Sequence, residues 1–88
     1  MQFEGAQVRE QGVEFAVVIV KPHILDNSYE DERENLRMSF SSVFPNVPII
    51  LMAQNYKGIP TYHGRPDIVK FLASIDHRRI PWKRYTLT

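Results

Sequence analysis

Apolar and polar positions first fall into a regular pattern at Val13-Glu-Phe-Ala-Val-Val-Ile-Val20. The segment opens with in/out alternation and ends apolar on both faces, as an interior strand covered on two sides does. Upstream, residues 2–9 fit a partner strand joined through a Glu10-Gln11-Gly12 turn. Gly5 and the many polar residues fit a frayed arm equally well, so residues 1–10 are either an extra edge strand or such an arm. Lys21-Pro22-His23 ends the strand, because proline has no N–H for a ladder. A helix is expected from a cap at Asn27 or Ser28 to about Phe44. Leu36, Phe40, Val43 and Phe44 form its buried stripe, and Glu30, Asp31, Glu32 and Glu34 sit near the positive end of its dipole. Val47–Ala53 is a second doubly apolar strand. Asn55-Tyr56-Lys57-Gly58 supplies a turn, and Ile59–His63 returns as a short strand whose Pro60 suits an edge. Pro66 opens a second helix with the stripe Ile68, Phe71, Leu72 and Ile75, ended by Asp76-His77. Residues 80–87 read as a last edge strand after Pro81.

The order is β-α-β-β-α-β, with an additional N-terminal strand if residues 2–9 pair. This predicts one small α/β (α+β) domain, residues 1–88, with a mixed sheet. A ferredoxin-like arrangement would put Val47–Ala53 at the sheet edge, where a polar face is the norm. The doubly apolar character of that strand favours the other arrangement, with strands 13–20 and 47–53 inside the sheet and a helix on each face. At 88 residues, scaling by length gives a stability of roughly 4–13 kcal/mol.

Val47-Pro48, the apolar strand after it, the Lys57-Gly58 turn, the strand ending Tyr62-His63-Gly64 and the helix Pro66–Ile75 together resemble the C-terminal β-β-α unit of thioredoxin-like proteins. The resemblance covers about residues 47–75. It implies a cis proline at position 48, facing an active site after the first strand. The cysteines of that site are absent: the chain reads Lys21-Pro-His-Ile-Leu-Asp-Asn-Ser28 there. Phe44 to Pro48 is also too short for the strand and helix the family inserts. The resemblance therefore implies a shortened scaffold without redox chemistry.

Composition narrows the function further. The chain has no cysteine, which excludes disulfides, a thiol nucleophile and thiolate metal sites, and favours a reducing, cytoplasmic setting. Apolar runs are too short to span a bilayer. His23, His63 and His77 lack metal-ligand spacing, so no metal or cofactor is expected. Ser39, Ser41 and Ser42 lie on a helix instead of a nucleophile elbow.

The net charge of +1 conceals an asymmetry. Residues 1–44 carry four basic and eight acidic side chains, and residues 45–88 carry seven and two. Chemistry concentrates in His77-Arg-Arg-Ile-Pro-Trp-Lys-Arg-Tyr85, where Arg78, Arg79, Trp82, Lys83, Arg84 and Tyr85 are the candidate binding residues. Arg, Trp and Tyr are the residue types enriched at protein interfaces. Interleaved cations and rings can also hold phosphates and stack bases. Gly64 and Arg65, at the start of the second helix, form a weaker anion-site candidate, although Asp67 answers the same dipole. The favoured reading is a non-catalytic interaction domain that meets a protein partner, or itself, through this segment and a sheet edge. The alternatives are a nucleic-acid-binding module and a cysteine-free thioredoxin-like relative.

Overall fold

A two-residue turn at Gln11 and Gly12 joins β1 (Gln2–Glu10) to β2 (Val13–Ile19). Both turn residues have positive φ, 51° and 79°, the handedness that matches the natural twist of a hairpin. The computed structural model, which describes residues 1–87, continues through α1 (Glu30–Phe40), β3 (Ile49–Gln54), β4 (Pro60–His63), α2 (Pro66–Ala73) and β5 (Lys83–Thr86). Short 3-10 turns occupy Pro22–Leu25, Asn27–Tyr29 and His77–Arg79. The five strands form one mixed sheet in the order β4-β3-β2-β1-β5. Only β2 and β3 run parallel, with Ala16 opposite Ile49 and Ile19 opposite Met52, so α1 serves as the crossover between them.

Alternation along each strand divides the apolar side chains between two cores. Phe3, Ala16, Val18, Ile49 and Leu51 pack with Phe40 and Phe44 on the α1 side. Ala6, Phe15, Val17, Ile50 and Met52 pack with Ile68, Leu72 and Ile80 on the α2 side. The strands expected inside the sheet are inside it, with a helix on each face. The edge position that a ferredoxin-like arrangement needs for β3 is taken by β4.

Four local expectations are corrected. Residues 1–10 are neither a frayed arm nor an edge strand: β1 is paired on both sides, to β2 and, from Gln2 to Gly5, to β5. The first helix is shorter than its apolar stripe. At its start the Asp26 carboxylate, not Ser28, accepts a hydrogen bond, from the Ser28 N–H at 2.9 Å, and this fixes a 3-10 turn before α1. At its end the Ser41 and Ser42 hydroxyls donate to the carbonyls of Met38 and Ser39, and Asn46 takes a positive φ of 65°. Phe44 stays buried even though it lies past the helix. The last strand begins only at Lys83, because the Trp82 N–H is diverted to the carbonyl of Ile80. Finally, no peptide bond among the described residues is cis, and the one before Pro48 is trans. Because β3 is parallel to β2, Pro48 lies just before its strand, with its carbonyl accepting from the Ala16 N–H, whereas His23 follows the far end of β2. The arrangement of Pro48 and His23 around one site, which the thioredoxin resemblance implied, is not formed.

Candidate interaction site

The basic-aromatic segment follows α2 and closes the far edge of the sheet. Asp76 organises its start: its carboxylate accepts from the Arg78 N–H at 2.9 Å and holds the Arg78 guanidinium at 3.1 and 2.9 Å. The Arg78 side chain and backbone together hold the Asp76 carboxyl down at about 2. Arg78 is thereby committed to its own chain. Trp82 donates its indole N–H to the His77 carbonyl at 3.0 Å and leans on the α2-side core, half-buried. Tyr85 points the other way. Its ring stacks on Phe3 with centroids 5.5 Å apart and meets the edge of Phe44 at 4.9 Å, on the α1 side.

Strand geometry explains this division. Successive side chains of a strand face opposite ways, and β5 pairs Phe3 with Tyr85 and Glu4 with Arg84. Trp82 and Arg84 therefore share the α2 face, and Lys83 and Tyr85 share the α1 face. Arg84 has Glu4 at 3.7 Å. Lys83 and Arg79 are exposed and make no ion pair among the described residues. Trp82, Lys83, Arg84 and Tyr85 thus occupy one stretch of edge but two faces, with one ring and one cation on each, while Arg78 and Arg79 lie in the 3-10 turn before it.

The backbone of β5 is half used. Leu87 donates to the Met1 carbonyl at 2.7 Å and accepts from the Met1 amino group at 3.1 Å, which makes this a hydrogen-bonded pair. Such pairs recur at every second residue of an antiparallel ladder. Phe3–Tyr85 and Gly5–Lys83 are then hydrogen-bonded, and the N–H and C=O of Arg84 and Thr86 point away from β1. Both residues are exposed.

The Gly64–Arg65 candidate has a different role. The Arg65 guanidinium forms a two-point bond to Asp67, 2.7 Å at each contact, and holds that carboxyl at about 2. Gly64 lies where a Cβ would stand 2.5 Å from Ile50 Cδ1. It serves packing, and its neighbouring cation is already neutralised. The histidines are dispersed. His23 lies beside Glu32 and Tyr29, His63 beside Arg37, and His77 beside Gln54 at 3.1 Å. No cluster of three metal-ligating side chains occurs among the described residues.

One polar network was not anticipated. Arg33, on the inner side of α1, is buried and donates to the carbonyls of Ile24 and Asp26 at 3.4 and 3.3 Å. One turn on, Arg37 donates to the carbonyls of Ile49 and His63, contacts His63 Nδ1 at 2.9 Å and pairs with Glu34. Burial, then the charges of Arg33 and Arg37, push His63 below its usual range, so it sits neutral and accepts from Arg37. The Arg37 hydrogen bond holds Glu34 below the ordinary carboxylate range. Arg33 Nε is buried without a hydrogen-bond partner, 3.6 Å from the Glu34 carboxylate, and the Arg37 bonds to the Ile49 and His63 carbonyls tie α1 to β3 and β4.

No protein-family model matches the chain, and comparison with the curated proteins and with the solved structures gives no match. No helix among the described residues is long and apolar enough to cross a membrane.

Proposed function

We propose that the protein is a non-catalytic interaction module that takes an extended segment of a protein partner as an added strand on β5. The observation that supports this reading is the outward-facing backbone of Arg84 and Thr86, on an edge strand whose four residues include three exposed ones. Such an edge offers main-chain hydrogen bonds for affinity and alternating side chains for selectivity. The division of Trp82 and Arg84 from Lys83 and Tyr85 suits a ligand whose own side chains alternate in the same way. Nucleic-acid binding has less in its favour, because it needs cations and rings gathered on one surface. Here Arg78 is paired with Asp76 of its own chain, Lys83 and Arg84 lie on opposite faces of the sheet, and Tyr85 lies against Phe3.

Arg84→Pro tests the reading. It removes an N–H that β1 does not use, and an edge strand tolerates proline where that donor faces solvent. Random displayed peptides selected on the immobilised protein should lose binding to the Arg84→Pro variant, whose melting temperature stays near that of the parent. The same peptides should slow amide exchange at Arg84 and Thr86. Binders indifferent to the proline, or no binders at all, would overturn the proposal.

A further inference from the structure

We infer that the strand accepted by β5 carries two consecutive acidic residues flanked by apolar ones, and is not a second copy of this chain. The inference rests on the strand-addition reading above. Residues directly opposite across two strands bring their Cβ atoms to within roughly 4.5–5.5 Å, close enough for charges to decide the pairing. Trp82 immediately precedes β5, and Lys83, Arg84 and Tyr85 begin it. A strand laid along β5 therefore meets the two cations and Tyr85 in the ladder and reaches the Trp82 ring at its end, in the order ring, cation, cation, ring. The two cations face opposite sides of the sheet, and so do two consecutive residues of the ligand. Each face can therefore form one cross-strand ion pair beside one aromatic contact. The sequence that answers this is apolar-acid-acid-apolar. It reads the same in both directions, so a parallel and an antiparallel ligand meet the same partners.

A second copy fails on the same grounds. Residues 82–87 contain two cations and no carboxylate. Joining two β5 edges would gather four cations on one short ladder, relieved only by Glu4 of each copy, one strand inwards at 3.7 Å from Arg84. Like charges facing one another across a ladder are destabilising, and basic residues on an edge are a common way of blocking edge-to-edge pairing. Arg79, exposed just before the strand, adds to the positive field.

The test compares two labelled peptides that differ only in charge, with the cores Val-Glu-Asp-Val and Val-Gln-Asn-Val, by fluorescence anisotropy and by amide exchange. At low salt the acidic peptide should bind about five- to tenfold more tightly, and the advantage should shrink as salt rises. Lys83→Gln/Arg84→Gln should bind both peptides equally while its melting temperature holds. Equal binding of both peptides to the parent protein, with Arg84 and Thr86 protected, would overturn the acidic preference and leave strand addition standing. Absence of binding and protection with either peptide would remove strand addition itself. A dimer in sedimentation that Arg84→Pro dissociates would overturn the exclusion of a second copy. A single-stranded oligonucleotide that binds more tightly than the acidic peptide, without protecting Arg84, would replace the inference with nucleic-acid binding.

Discussion

Removing the Leu72 side chain beyond its Cβ should cost a large share of the stability of this domain. α2 has eight residues and sends only Ile68 and Leu72 fully into the core. A helix that short does not hold together by itself in water, so its docking rests on those two anchors. Leu72 shares its core with Phe15, Ile50 and Met52, side chains of strands that the sheet ladder holds in place, so the cavity left by Leu72→Ala should collapse little. Leucine-to-alanine changes at such sites cost ~2–5 kcal/mol, and poor collapse puts this one at about 3–4. The whole domain has roughly 4–13 kcal/mol. For a small domain with a urea slope near 1 kcal/mol per molar, the midpoint should fall by about 3 M. Fluorescence of Trp82 follows the transition, since its ring packs against the same core. Met38→Ala is the control: that side chain is 71% exposed on α1 and should change stability by less than about 0.5 kcal/mol. A midpoint that drops by under about 0.5 M for Leu72→Ala would show that α2 does not depend on this face.

The remaining predictions concern the two polar corners of the fold. Gly64→Ala should lower stability by ~1–3 kcal/mol, because its new methyl would meet Ile50 Cδ1 at 2.5 Å. Adding Ile50→Val, which removes that atom, should restore part of the melting temperature; no recovery would place the cost in the backbone. His63, held below its ordinary value of about 6.5, takes up protons more readily when unfolded than when folded. Its contribution is therefore complete above that pH and lost as pH falls through its lowered folded value. Urea midpoints between about pH 7 and 5 should decline in the parent and decline less in His63→Gln. Equal slopes would detach His63 from the effect. At stronger acid a second loss is expected between about 4 and 2, as the ion-paired Asp67 and Asp76 take up protons. Asp76→Asn should shrink that step in an acid titration followed by Trp82 fluorescence.

The sheet interior was legible because burial on two faces leaves a plain trace. Phe15–Val20 and Val47–Ala53 have no polar residue at all, and both strands lie inside the sheet. The stripe Ile68/Leu72 was legible from its four-residue spacing, which puts both side chains on one face of α2. The limits of α1 were not, because Phe40 and Phe44 are both buried while serine hydroxyls and Asn46 turn the chain between and after them. Burial periodicity cannot see a change of backbone path that keeps the same side chains inside. Arg33 was missed because a charge on a helix reads as a solvated position, whereas here two loop carbonyls draw it under the helix. At the candidate site the residues were readable as a run but their division between faces was not. That division follows from the register Phe3–Tyr85, and register is a property of β1 as much as of β5.

The pairing of β1 with β5 also governs how the molecule breathes. β1 is nine residues long, but only Gln2–Gly5 are covered on the outer side, by a strand of four residues. Their ladder joins segments some eighty positions apart, so closing it costs more chain entropy than closing the tight β1–β2 hairpin, and amide exchange should find it opening first. Each opening uncovers the outward amides of Phe3 and Gly5 together with the Phe3 ring, a sticky surface that the cationic edge of β5 normally shields. β5 is thus a guard over a more adhesive strand. A ligand seated on it would suppress those openings, so occupancy should lengthen the lifetime of the protein against aggregation as well as register the encounter.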